Sequence, residues 1–222
     1  MQVLIDNFGQ ILDGFVKTLW LLLFSGTIAA VLGTILVAMR VSPVAILRFA
    51  GTSYINVFRN TPLLLILLII AFAAPDLGFT YEVNNYFNFF FIAATSGLGL
   101  YTAAFVCEAL RSGINSIPVG QAEAARAIGM SFFQSMRTVI LPQAFRAVVP
   151  PLTSTYIALA KNTSVALAIG VTEAGFIMKK LNNNYATARW PIFFGFAVGY
   201  MIIVWAIAAL GSLAERRGAV SR

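Results

Sequence analysis

The stretch EAARAIGMSFFQSMRTVILP, residues 123–142, sets Glu123, Arg126 and Arg137 between two long apolar runs. A carboxylate and two guanidinium groups on a short helical segment can pair with charges on a second protein. They lack the company that catalysis needs. The chain has no histidine and a single cysteine, Cys107, which removes His-ligated metal sites, a histidine general base and any intrachain disulfide. No Gly-Lys-Ser or Gly-Lys-Thr triplet occurs, so the chain has no P-loop to cradle nucleotide phosphates. If it uses ATP, a partner supplies the site. The second stretch with chemical potential is Lys161-Asn162-Thr163-Ser164, an ammonium followed by three side chains that each make good helix N-caps.

The elements that must position these groups are set by composition. Of 222 residues, 59% are hydrophobic and 10% charged, and mean hydropathy is +0.86. The uncharged runs are long enough to carry a helix across a bilayer, which takes roughly 20 apolar residues. This predicts an all-α, polytopic membrane protein. With no linker or low-complexity tract, residues 1–222 read as one domain. A formal charge of +7 would suit nucleic acid, but the bases sit between apolar runs, so the expected surroundings are a lipid membrane and no nucleic acid.

Five spans are expected. The first, 18–39, reads as a retained helix; the alternative is a signal peptide, but the run exceeds a usual apolar core and is preceded by Asp6, Asp13 and Lys17. The second, 61–74, is short and borrows 54–58 as an interfacial lead-in, with Arg59 at the headgroups. The third is 86–107 and the last 192–214. Between them 144–170 carries Pro150 and Pro151, which predict a backbone break tolerated only where protein or water covers the freed groups. On that count one side holds Arg40, Arg48, Arg59, Arg111, Arg126, Arg137, Arg146, Arg216, Arg217 and Arg222 against Glu108, Glu123 and Glu215. The other side holds Lys17, Lys161, Lys179, Lys180 and Arg189 against Asp6, Asp13, Asp76, Glu82 and Glu173. The positive-inside rule puts the N-terminus outside and the C-terminus in the cytoplasm, with Lys179 and Lys180 voting the other way.

The opening stretch is then cytoplasmic. Pro118 suits a first helical turn and Gly129 the left-handed position just past a helix end, so 119–128 reads as one short helix. Ser131 and Gln134 match a capping box that starts a second helix, ending near Leu141-Pro142. Ala122, Ala125 and Met130 fall near one face, and Phe132, Phe133, Met136 and Ile140 recur at helical spacing. The alternative is an amphipathic interfacial loop without a partner.

The spacing is more particular than that. Glu-Ala-Ala, a Gly six residues after the Glu, and Ile-Leu-Pro with its Pro thirteen residues after the Gly resemble the EAA signature of permease subunits of bacterial ABC importers. Phe58-Arg59-Asn60-Thr61-Pro62-Leu63-Leu64 is similar to the F-R-G-T-P-L-L stretch of the polar amino-acid branch, with Asn60 in place of Gly. Residues 101–121 resemble that branch's approach to the loop, and Lys161-Asn162-Thr163-Ser164 its K-D-T-S stretch, with Asn162 replacing Asp. The resemblance implies a type I importer permease fold, with residues 118–142 as coupling loop and Glu123, Ala124, Ala125, Arg126 and Gly129 docking on the ATPase. It further implies an ATP-binding subunit dimer that holds ATP and Mg, so no cofactor in this chain. A second permease subunit, a heterodimer before a homodimer, and an extracytoplasmic solute-binding protein complete the implied assembly in the bacterial cytoplasmic membrane.

Lys161, Asn162, Thr163 and Ser164 are the candidate substrate pathway. An ionisable group inside a span must face protein or water, and a half-helix beginning at 162–164 would aim its positive end at a carboxylate. The alternative is a snorkelling or structurally paired lysine. With Asn162 where the branch has Asp, Lys161 is less neutralised, which points to glutamate or aspartate as the solute. Glu108 and Arg111 are spaced to pair on one turn, Gly195 and Gly199 form a close-packing GxxxG, Trp190 is an interfacial anchor, and 87–91 supplies aromatic bulk. Two other classes stay open: an ATP-independent secondary carrier or channel, which needs no docking helix, and an intramembrane enzyme, which needs a clustered catalytic set.

Overall fold

The structure is a computed structural model that describes residues 2–79 and 86–218; Glu82 and Arg222, counted in the charge tally, lie outside them. Among the described residues there is no strand. The helices are α1 (Gln2–Asp6), α2 (Phe8–Val41), α3 (Ala45–Asn60), α4 (Leu63–Asp76), α5 (Phe89–Asn115), α6 (Val119–Ala127), α7 (Phe132–Ser135), α8 (Leu141–Asn162), α9 (Ala174–Asn184) and α10 (Arg189–Gly218).

Prolines and caps set their limits. The residue before a proline avoids helical ψ, and Ser42 before Pro43 (ψ 143°) closes α2 while Thr61 before Pro62 (ψ 131°) closes α3. Asn88 starts α5 by accepting the Phe91 N–H at 3.0 Å. At 34 residues α2 is about 51 Å long, more than a bilayer core requires. It begins at Phe8 rather than at 18 because the preceding turns also find a packing surface: Gly14 lies against Ile177 and Ala174.

The helices pack as neighbours of opposite or equal sense. α2 and α5 run parallel, with Phe24 near Phe91, Ile28 against Gly99 and Val106 against Gly33. α4 returns along α5, where Leu67 covers Gly97. α8 runs back from Val148 beside Gly113 to Leu159 and Tyr156 beside Gly26, and α10 descends along it, with Gly211 against Thr153. α3 does not cross. It lies over the end of the α2–α5 pair, Gly51 on Met39 and Arg40, and α4 leaves it at 102°. The expected short second span with an interfacial lead-in is this bent pair.

α2, α5 and the segment Ala186–Arg216 are each long and apolar enough to cross a membrane, and α3–α4 makes up to a fourth span. α8 lies in the same layer between α5 and α10; Arg146, Lys161 and its hydroxyl side chains make it less apolar. Large apolar side chains point outward along α10, as lipid contact requires: Phe194, Ile202, Trp205 and Leu210 are all exposed. Gly195 and Gly199 admit Leu4 and Phe15, so the GxxxG packs against α1 and α2.

Two backbone expectations are corrected. α8 continues through Pro150 and Pro151, although two ladder hydrogen bonds are lost there. Contacts on both sides hold it straight enough: a Cβ on Gly113 would collide with Val148, and one on Gly211 with Thr153. The break falls later, in the 3₁₀ turn Thr163–Ile169 that ends at Gly170 (φ 90°). The second loop helix likewise does not stop at Leu141-Pro142. α7 passes through a π turn, Met136–Ile140, straight into α8. Widening the helix just before Pro142 relieves the clash of its ring with the preceding turn.

Candidate coupling loop and translocation face

The loop is built by local hydrogen bonds. α6 ends in a Schellman motif: the Met130 N–H donates to Ala125 O (3.1 Å) and the Gly129 N–H to Arg126 O (2.9 Å), with Gly129 at φ 85°. Two residues on, the capping box closes both ways, Gln134 N–H to Ser131 Oγ (3.3 Å) and Ser131 N–H to Gln134 Oε1 (2.9 Å). These two motifs fix the angle between α6 and α7 with almost no side-chain core. Ala125 and Ser135 are buried at the joint.

Glu123, Ala124, Arg126 and Gly129 are exposed, and neither charged group makes an ion pair with any described residue. Ala122, Ala125 and Met130 share the inner face, as their spacing predicts. Phe132 and Phe133 do not: both are 71% exposed, beside Ile128 at 78% and Val119 at 74%. The loop therefore presents an apolar rim around separated charges, with small residues at α6's centre.

The four candidate pathway residues are not brought into one cluster. Asn162 reaches a cavity of about 310 Å3 with Tyr101, Thr102, Phe105, Ser154 and Thr155. Lys161 is exposed, on the stripe of α8 that also carries Pro150, Ser154 and Ala158. Thr163 is fully buried, its hydroxyl donating to Ala160 O at 2.7 Å, and Ser164 donates to Lys161 O at 2.8 Å. Since 163–169 is a 3₁₀ turn without a side-chain cap, the expected half-helix with its positive end on the pathway does not form. Lys161 instead occupies the last turn of α8, where a cation also complements the helix dipole.

Two polar centres escaped sequence reasoning. Glu108 pairs with Arg40 and lies 3.8 Å from Arg59; among the described residues it makes no ion pair with Arg111. The helix spacing was suitable, but the end of α2 offered a closer cation. Glu173, in the connection between α8 and α10 and outside both, is wholly buried. It accepts from the N–H groups of Gly175 (2.7 Å) and Phe176 (2.9 Å), from Tyr200 (2.9 Å) and from Thr18 (3.4 Å). Burial pushes its carboxyl above the usual range, and these hydrogen bonds oppose that shift. Lys17 donates to neighbouring Thr172 at 2.8 Å and lies over the Tyr86 ring. The one local signal was Glu two residues before a Gly, an N-cap that the helix-start rules rank low.

A helical layer with several membrane-length segments, a polar stripe on α8 and a charged loop at one end together define a multi-span membrane transport subunit. Residues 15–217 match the model of the family described as "Binding-protein-dependent transport system inner membrane component". The chain belongs to that family, as a multi-pass permease component in the inner membrane. It is 47% identical over 213 residues to the glutamate transport system permease protein GluC of Corynebacterium efficiens, covering 93% of each chain. It is 34% identical to the glutamate/aspartate import permease protein GltJ of Escherichia coli, covering 94% of this chain and 87% of that one. A crystal structure of an amino acid ABC transporter with histidines superposes with a TM-score of 0.84 at 28% identity, covering 96% of both chains. The MetNI methionine ABC transporter, at 23% identity and TM-score 0.67, shares the fold.

Proposed function

We propose that this chain forms half of the translocation pathway of an ATP-driven importer for acidic amino acids, glutamate or aspartate. The observation that carries the reading is the exposed Lys161 on α8, beside Ser154, Ala158 and the cavity-lining Asn162, with no acidic side chain on that stripe of α8. An ammonium there is costly unless it faces water or a second subunit, and a negatively charged solute offsets that cost. The relatives named for glutamate and aspartate support the same choice.

The rest of the machine follows from the loop. A paired ATP-binding subunit holds ATP and Mg and docks on the exposed Glu123, Ala124, Arg126 and Gly129, while Ala125 packs beneath them at the joint; a second, related permease completes the pathway, and a solute-binding protein delivers the cargo outside. Closure of the ATPases moves α6 and α7 as one body, and because α7 is continuous with α8, the motion passes directly to the Lys161 face. The N-terminus lies outside and the C-terminus in the cytoplasm, as the basic residues favour.

The test is solute-stimulated ATP hydrolysis and uptake in vesicles holding this chain with its neighbouring ATPase, permease and binding protein, comparing glutamate, glutamine and arginine. Stimulation by glutamate is expected. Stimulation by arginine in its place overturns the acidic solute, and flux without ATP overturns the importer.

A further inference from the structure

We propose that the arginine-lined pocket formed by the end of α2, the start of α3 and α5 binds the phosphate headgroup of an anionic phospholipid, in the leaflet on the α6–α7 side. The pocket is an open depression of about 490 Å3 lined by Arg40, Ala45, Arg48, Phe49, Thr52 and Arg111. Arg40, Arg48 and Arg111 contribute to its lining, and no acidic side chain among the described residues lines it. Glu108, the nearby acid, is paired with Arg40 and lies 3.8 Å from Arg59.

The two remaining arginines are free to bind an anion. Arg48 uses Nη1 on the carbonyls of Ser42 (2.9 Å) and Pro43 (2.7 Å), which fixes its guanidinium at the rim and leaves its other donors open. Arg111 is half-buried, yet makes no hydrogen bond or ion pair with any described residue. Its guanidinium is not sealed from solvent and carries no counter-charge, so it is open to a phosphate oxygen in a charge-assisted hydrogen bond.

The surroundings select a lipid over a soluble anion. α3 lies across the end of the bundle, turned 102° from α4, and presents Ile46 and Phe49, each 73% exposed, beside exposed Val41 and Val44. Basic residues next to an apolar face on a helix lying along the bundle end are the arrangement that seats in the headgroup layer. The apolar side chains meet acyl chains while Arg48 and Arg111 meet the phosphate. Gly51 rests on Met39 and Arg40, so a lipid held here also pins α3 to the end of α2.

The experiment is native mass spectrometry of the full chain, with whatever subunits co-purify, titrated with phosphatidylglycerol or phosphatidylcholine of matched acyl chains. Phosphatidylglycerol is expected to bind more tightly, and R48Q/R111Q to weaken it about tenfold, towards phosphatidylcholine. K179Q/K180Q, which removes the same charge elsewhere, is expected to leave the preference intact. Equal binding of the two lipids by the unaltered chain overturns the proposal without any variant having to fold. So does an equal loss in K179Q/K180Q, which would mean bulk charge alone, or displacement of phosphatidylglycerol by excess inorganic phosphate, which would mean a soluble-anion site.

Discussion

Arg40, in the last turn of α2, and Glu108, on α5, form an ion pair across 68 residues of sequence, with Arg59 of α3 lying 3.8 Å from the same carboxylate. One carboxylate thus ties three helices at the end of the bundle from which α4 bends away.

The first prediction concerns that tie. Arg40 is 12% exposed and Glu108 33%, so the pair sits between a surface contact and a buried one. E108Q should lower stability by about 1–3 kcal/mol, read as a fall in the apparent Tm of the purified chain. R111Q, which removes the cation one turn away, should change it by no more than about 0.5 kcal/mol. An equal loss in both variants would mean that Arg111 shares the pair.

A second prediction concerns Glu173, whose four hydrogen-bond donors come from α2, α9 and α10. E173A strands buried donors and should cost about 3–5 kcal/mol, whereas E173Q keeps an acceptor oxygen and should cost less. Y200F removes one donor and should cost about 1 kcal/mol. Thermal unfolding in one detergent orders the three; Ala and Gln variants of equal stability would deny the carboxylate its structural role.

How much of this was legible depends on sequence range. The loop was readable because its signals are local: Gly129 past a helix end, and Ser131 three residues before Gln134, each need only their own neighbours. The bend between α3 and α4 was half legible through Pro62. Glu173 was not, since its partners Thr18 and Tyr200 lie 155 and 27 residues away and no periodicity marks them. Pro150 and Pro151 misled for the opposite reason. Their local preference to break a helix is real, and Gly113 and Gly211, which let α5 and α10 clasp α8, are visible only in the packed bundle.

The third prediction separates the loop's shape from its charge. G129V forces a β-branched side chain into φ 85° and S131A removes a cap worth about 1 kcal/mol; both should lower solute-stimulated ATP hydrolysis in the assembled transporter. E123K leaves every hydrogen bond of the loop in place, so it should spare the chain's own Tm while separating hydrolysis from uptake. Normal uptake by an assembled E123K transporter would remove Glu123 from the docking surface.

The last prediction decides between two roles for Lys161. If its ammonium meets a solute carboxylate, K161Q loses a charge-assisted hydrogen bond of about 1.5–3 kcal/mol, which raises the apparent KM for glutamate by roughly tenfold to a hundredfold. Tm and ATP hydrolysis without solute should stay unchanged, and K161R should recover part of the loss because the charge remains. A lysine that only complements the end of α8 behaves differently: K161Q then lowers Tm by about 0.3–1 kcal/mol of stability and leaves KM alone. The two readouts move independently, because Lys161 is exposed on the outer stripe of α8 while the interactions that hold α8 in place, at Val148, Thr153 and Tyr156, lie on its buried side.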